Sequence, residues 1–279
     1  GCTGLIEIAI PASVSEVFAF VFNNCDTLKT MLFAGSNTYI TTLIWDTEET
    51  AEDLTLTESG RNMLGPHEQV VVYGLSANSN GDTHHEADDT ICEMSPRYYA
   101  EQFGYTFYAT DVFEDVRQGK YYTIPVAWAY GRGVTNGKDA THFAPGDTCT
   151  RGQVVRFLWN AMGQPEPTLT ECPFEDVLEG KYYYEAVLWA LETGVTAGKD
   201  DFHFAPNESC TRGQVVTFIW NAMGKPEPTI TDCPFVDVTP GKYYYTAMLW
   251  ALENGITTGL DETHFGPNQT CTRAQVVTF

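Results

Sequence analysis

Three arginines occupy one place in three copies of the same segment: Arg151, Arg212 and Arg273 follow Thr150, Thr211 and Thr272 at a constant spacing of 61 residues. Each falls in the first turn of a segment patterned as a helix, where the macrodipole is positive and a cation is locally unfavourable. Helix stability therefore gives no reason for them. An arginine fork beside free helix N-terminal amides is a receptor for a carboxylate or phosphate, and three of only 15 basic residues are committed to this position. The structural alternative is that each arginine ties to Asp115, Asp176 or Asp237, or to a neighbouring acid. Gly152 and Gly213 follow two of the arginines and would let a ligand approach the backbone closely, whereas Ala274 takes that place in the third copy.

Other residues with chemical potential recur at the same interval. His142, His203 and His264 could converge on a threefold axis as metal ligands, but no second ligand recurs at i+2 to i+4, so no metal and no cofactor is assigned. Trp128, Trp189 and Trp250 suit either sugar stacking or core packing. Lys120, Lys181 and Lys242 add positive potential or are simply solvated. The polar insert 76–95, centred on Gly81–Asp89 with His84 and His85, fits neither an EF-hand nor a zinc template and reads as a solvated acidic loop. Among the 8 cysteines no Cys-x-x-Cys occurs. Cys2 and Cys25 suggest a buried ladder. Cys149, Cys172, Cys210, Cys233 and Cys271 leave two pairing schemes open: Cys149 to Cys172 with Cys210 to Cys233, or Cys172 to Cys210 with Cys233 to Cys271. Unpaired thiols are a third arrangement. No nucleophile elbow, phosphate-cradling glycine loop or metalloprotease helix is present, so no catalytic residue is assigned and these residues are not read as an enzyme.

Composition narrows the field. The 279 residues are 43% hydrophobic and 19% charged, enough for one large domain or two to three modest ones. Thirty-seven acidic against 15 basic residues give a net charge of −22, which repels a phosphate backbone and excludes nucleic acid as a partner. No apolar run approaches the roughly 18 to 20 residues of a membrane-spanning helix. The opening Gly1-Cys2 reads as the start of a soluble piece of something longer.

The elements that must position the arginines come from the repeat. A shift of 61 residues aligns segments starting near Phe113, Phe174 and Phe235 without a gap. Each copy reads as two helices. In the second, Tyr183, Ala186, Val187, Ala190 and Leu191 form one apolar face, and Val215, Phe218, Ile219 and Ala222 form the buried side of the next helix. Thr150-Arg-Gly-Gln153, Thr211-Arg-Gly-Gln214 and Thr272-Arg-Ala-Gln275 are capping boxes. Pro/Glu-rich runs at 164–168 and 225–229 are linkers. A lone helical hairpin cannot bury both faces, so the units must pack on one another.

The succession Phe-x-Asp-Val, Gly-Lys-Tyr-Tyr, Trp-Ala, Gly-Val/Ile-Thr-x-Gly, Phe-x-Pro and Thr-Arg-Gly/Ala-Gln resembles three consecutive S-layer homology domains, spanning residues 110–165, 172–226 and 233–279 with the last cut short. The resemblance implies a mainly α, pseudo-threefold bundle of helical hairpins. It also implies non-covalent attachment of a bacterial surface protein to an anionic, pyruvylated secondary cell-wall polysaccharide, held in grooves between repeats. By that resemblance the candidate groove residues are Arg151, Arg212 and Arg273, the pairs Thr135/Gly137, Thr196/Gly198 and Thr257/Gly259, and Asp115, Asp176 and Asp237. A left-handed turn is the alternative role for the Thr/Gly pairs. Gln153, Gln214 and Gln275 stand where that family most often carries an acid.

Residues 1–109 differ. Gly1–Pro11 is echoed 23 residues later by Asn24–Phe33, a period in the leucine-rich-repeat range. The intervening Val14–Val17, Phe18-Ala-Phe20 and Phe22–Cys25 resemble BspA-like leucine-rich repeats of bacterial surface proteins. This implies the end and cap of a β-rich solenoid, with Val70–Gly74 and Tyr98–Phe107 as its closing strand and helix, and a curved face that meets an unidentified protein or host ligand. The expected whole is a secreted, cell-wall-attached adhesion protein of a Gram-positive type of bacterium. The alternatives are an anchor for an upstream glycan- or wall-degrading enzyme and a binding module for host or dietary glycans.

Overall fold

A computed structural model describes residues 3–22, 24–43, 64–76, 83–85 and 91–279, so Cys2 and most of the acidic insert lie outside the described residues. The chain forms two compact units, Gly1–Gly131 and Arg132–Phe279. The division falls within the segment 110–165 and not at its start.

In the first unit, β-branched and aromatic runs build two four-stranded sheets. One holds β1 (Glu7–Ile10), β3 (Thr30–Phe33), β5 (Val71–Gly74) and β8 (Thr106–Ala109) in that order, all parallel. The other is ordered β2 (Glu16–Phe18), β4 (Tyr39–Leu43), β7 (Ile91–Met94) and β6 (Thr83–His85), with only the first pair parallel. Glu7 pairs with Thr30 and Glu16 with Tyr39, so the first strand pair of each sheet steps by the 23-residue period seen in the sequence. Threonines stitch one step to the next: Thr27 Oγ1 donates to Leu5 O at 2.9 Å and Thr38 Oγ1 to Val14 O at 2.6 Å. Leu28, Met31, Phe33, Ile40 and Val72 fill the interior.

Helix α1 (Pro96–Phe103) closes this core with Tyr99, Ala100 and Phe103. Ser95 caps it by accepting from Tyr98 N–H, and Pro96 sits where a missing N–H costs nothing. Helix α2 (Thr123–Gly131), expected to serve the first repeat, lays Ile124 and Ala127 against Leu32, Tyr73 and Tyr108 of the parallel sheet.

The second unit holds α3 (Arg151–Ala161), α4 (Tyr184–Glu192), α5 (Arg212–Ala222), α6 (Tyr245–Glu253) and α7 (Arg273–Thr278). The expectation of a mainly α bundle is corrected here: helices of six to eleven residues are separated by longer loops, while the first unit is largely β. All three capping boxes form, with Thr150, Thr211 and Thr272 accepting from the N3 amide and Gln153, Gln214 and Gln275 answering. The close helix pairs are α3 with α4 and α5 with α6, so the second helix of one repeat packs on the first helix of the next. Helix α4 buries Ala186 through Ala190 consecutively, which is burial on every side and not the single apolar face read from the sequence.

Candidate functional site

The three segments preceding the capping boxes close a cycle. Cys149 N–H donates to Cys271 O, Cys210 N–H to Cys149 O and Cys271 N–H to Cys210 O, each at 2.9 Å. Around this triangle the helix N-terminal amides look outward to the following repeat: Arg151 N–H to Glu208 O and Gly152 N–H to Pro206 O, Arg212 to Gln269 and Gly213 to Pro267, Arg273 to Asp147 and Ala274 to Pro145. The amides expected to receive an anion are thus occupied by backbone carbonyls of the neighbouring loop.

The arginines follow the same cycle. Their Nε atoms donate to Phe204 O, Phe265 O and Phe143 O at 2.7 to 2.8 Å. Each guanidinium lies between two phenyl rings of that same repeat: Arg151 between Phe204 and Phe218, Arg212 between Phe265 and Phe279, Arg273 between Phe143 and Phe157, at 4.8 to 5.3 Å. All three are at most 5% exposed, and burial pulls the Arg151 pKa down. Cys149, Cys210 and Cys271 are fully buried, and burial pushes the Cys149 and Cys271 thiols up to about 12. Neither disulfide scheme is formed: those three cysteines are free thiols at the centre, while Cys172 and Cys233 are free and half-buried outside it.

The remaining candidates build loops. Asp176 accepts from Phe204 N–H and Ala205 N–H, and Asp237 from Phe265 N–H and Gly266 N–H, holding a turn whose Ala205 has φ 60°. These carboxylates support the carbonyl that receives the arginine, and the Asp176 charge favours the charged form of Arg151 as well. Asp115, in the first unit, is half-buried. Thr135, Thr196 and Thr257 are buried, and each hydroxyl accepts from the N–H of Gly137, Gly198 or Gly259. Gly198 is required twice, by φ +86° and because a Cβ would lie 2.5 Å from Phe174 Cε1. At Gly213 a Cβ would meet Tyr244 Cδ1 at 2.9 Å and Pro267 O at 3.0 Å, so this glycine admits a tyrosine, not a sugar.

The histidines lie in exposed loops, where the ring Nδ1 of His142, His203 and His264 meets Asp139, Asp200 and Asp261. Trp189 and Trp250 are buried, whereas Trp128 in the first unit is 39% exposed.

What the inter-repeat junctions show to solvent is tyrosine. Tyr182 is 55% exposed and Tyr243 60%. Their rings meet Tyr183 and Tyr244 edge-on at 4.9 and 5.0 Å. The signal for them was the Gly-Lys-Tyr-Tyr repeat, in which two adjacent aromatics before a helix cannot both face the core. The signal for buried arginines was the phenylalanine recurring six residues after each one.

The S-layer homology domain model matches residues 112–155, 173–216 and 234–277. An endoglucanase of Bacillus sp. (strain KSM-635) is 28% identical over 172 residues, 58% of this chain and 18% of that protein. A surface-layer 125 kDa protein of Lysinibacillus sphaericus is 33% identical over 94 residues, 34% of this chain and 8% of that protein. A cell surface protein of Thermoanaerobacter kivui is 26% identical over 122 residues, 42% of this chain and 16% of that protein. The chain thus spans less than a fifth of the length of these relatives. No helix among the described residues is long and apolar enough to cross a membrane. Residues 112–155, 173–216 and 234–277 are three consecutive S-layer homology domains.

Proposed function

We propose that this chain is a non-covalent cell-wall anchor of a bacterial surface protein, binding an anionic secondary wall polysaccharide at the junctions between its repeats. The observation that carries this reading is the set of three matched S-layer homology domains, and the similarity to a surface-layer and a cell surface protein supports it. The junctions suit a polysaccharide because those of α3 with α4 and of α5 with α6 offer an exposed tyrosine ring, Tyr182 and Tyr243, a surface on which a sugar face stacks. The inward arginines serve this function by holding each junction together and placing positive charge behind it. A pyruvate ketal supplies the carboxylate such a junction attracts. The 23-residue parallel step of the first unit supports a leucine-rich-repeat solenoid there, displayed to a partner by the anchor.

A second reading keeps the anchor and changes its cargo. The similarity to an endoglucanase favours an anchor attached to a glycan-degrading enzyme, with the catalytic residues elsewhere in the protein. The test for both is retention of the chain on purified Gram-positive sacculi before and after mild acid removes the attached polymer and its ketals. Loss of retention on stripping is expected. Retention by stripped sacculi would move the target to peptidoglycan, and no retention by either would end the anchoring reading.

A further inference from the structure

Strand β8 (Thr106–Ala109) ends the parallel sheet, and among the described residues no strand lies beside its outer edge. Its register on β5 pairs Gly74 with Ala109, and Thr110 N–H donates to Gly74 O at 2.7 Å. Alternate residues of a parallel ladder bond to the same neighbour. Tyr108 and Thr110 therefore turn their backbone groups to β5, and Phe107 and Ala109 turn theirs to the edge. A cleft of about 270 Å³ lies against this edge, lined by Phe107, Tyr108 and Ala109. That is below the roughly 300 to 1,000 Å³ of small-molecule pockets and suits one or two side chains.

The two helices beside the edge give the cleft unlike walls. Helix α1 supplies Arg97 and Glu101, which pair at 2.9 Å with their side chains 49% and 53% exposed. Helix α2 supplies Ala127, Tyr130 and Gly131. This second wall is where the first repeat departs from the other two. Trp128 and Ala129 recur as Trp189-Ala190 in α4 and Trp250-Ala251 in α6. Ala127, Tyr130 and Gly131 instead replace Leu188, Leu191 and Glu192, or Leu249, Leu252 and Glu253. A leucine at 127 would take up cleft volume, and even a Cβ at 131 would lie 2.1 Å from Tyr108 Cδ1. Edge groups without a strand partner, room for a side chain beside them and two chemically distinct walls make a seat for an extended chain. Side chains of a strand alternate between faces, so a strand added to β8 sends one set toward Ala127 and Tyr130 and the other toward Glu101. In a chain of net charge −22, that other set is basic.

We propose that the β8 edge binds an extended peptide by strand addition, with small apolar side chains against α2 and alternate basic side chains beside Glu101. The site lies wholly within the first unit and is independent of the wall-anchoring reading.

The test uses the full chain and a capped peptide of alternating lysine and valine, followed by fluorescence anisotropy, with amide exchange locating the contact. Exchange is expected to slow at Phe107 and Ala109; protection confined to other segments would overturn the site. A block peptide of the same composition keeps the charge but not the alternation, and should bind more weakly. Equal binding of the two would reduce the effect to bulk charge and overturn the proposal. Ala109→Pro removes one edge-facing donor at an edge position, where proline is tolerated, and should weaken binding about fivefold, the scale of one net hydrogen bond. A peptide N-methylated on its β8-facing amides asks the same question without altering the protein. Undiminished binding by A109P that melts like the parent, or of the methylated peptide, would overturn strand addition. E101K should weaken the lysine peptide about threefold, the scale of an exposed ion pair, and favour a glutamate and valine peptide instead. An unchanged preference would overturn the assignment of basic side chains. A chain retained by sacculi that ignores the peptide would lose this site and keep the anchor.

Discussion

The two units solve the same problem, burying a repeat too small to fold alone, by opposite symmetries. In the first, the 23-residue step is a translation: Glu7 meets Thr30 and Glu16 meets Tyr39 in parallel register. In the second, the 61-residue step is a rotation, so three steps return to the start and Cys149, Cys210 and Cys271 bond in a closed cycle. A translating stack can lose or gain a step at modest cost, since its energy is close to a sum of neighbour terms. A closed cycle cannot, because every junction is a heterologous contact that exists only when the rotation closes.

The largest separation between the units is expected at high pH. Burial raises the Cys149 and Cys271 thiols from 9.0 to about 12 and lifts Cys210 as well, against the opposing pull of Arg273, Arg212 and Arg151. A raised pKa means the folded state holds the proton that the unfolded state gives up, so this stability is full below pH 9 and is lost as pH rises toward 12. In the first unit the described groups that burial raises are tyrosines, with Tyr73 raised from 10.0 to about 12 mainly by burial. Proteolysis across pH 8 to 11, read by mass spectrometry, should therefore show peptides of the second unit released first. Simultaneous release would erase this distinction.

Next in size is Arg212→Ala. It removes the Nε bond to Phe265 O and the layer between Phe265 and Phe279. The loss should be about 3 to 4 kcal/mol, combining a charged hydrogen bond with a desolvated cation–π contact. Thermal melting should show the whole second unit unfolding earlier, since one junction opens the cycle. A melt lowered by less than about 1 kcal/mol would mean that closure is not cooperative.

Gly213→Ala is smaller, about 1 to 3 kcal/mol, the cost of pressing a methyl against a packed ring. Tyr244 must move, and the edge contact with Tyr243 loosens with it. Quenching of tyrosine fluorescence by iodide should increase. Unchanged quenching would show that the junction yields elsewhere.

Thr38→Val is the smallest, about 1 kcal/mol for one stitch between steps of the stack, leaving Val14 O without that donor. Its effect should stay in the first unit, seen as faster amide exchange near β2 and β4 with none near the capping boxes. Exchange that spreads to the second unit would refute independent energetics.

Much of this architecture was legible because repeats amplify weak signals. The capping boxes are readable since threonine and glutamine three apart satisfy amides within one helix turn, and all three form as read. The 23-residue echo likewise becomes the strand register. The arginines were legible as a position but not as a direction. A cation in a first turn looks exposed when only its own helix is considered, and what encloses it comes from a different repeat, 53 residues away for Arg151 and Arg212 and 130 for Arg273. The cysteine pairings failed for a related reason: spacings of 23 and 38 residues give two linear schemes, and neither anticipates that rotation places three equivalent cysteines at one centre.

The sequence by itself determined the period, the caps, the loop turns and the acidic surface, because each depends on residues within a turn or two of one another or on simple composition. Tertiary structure alone decided which helix packs on which, that the arginines face inward while the first tyrosine of each pair faces out, and that the repeats close on three buried thiols. Those outcomes depend on a rotation between copies, and a rotation angle is a property of packed surfaces that no local spacing encodes.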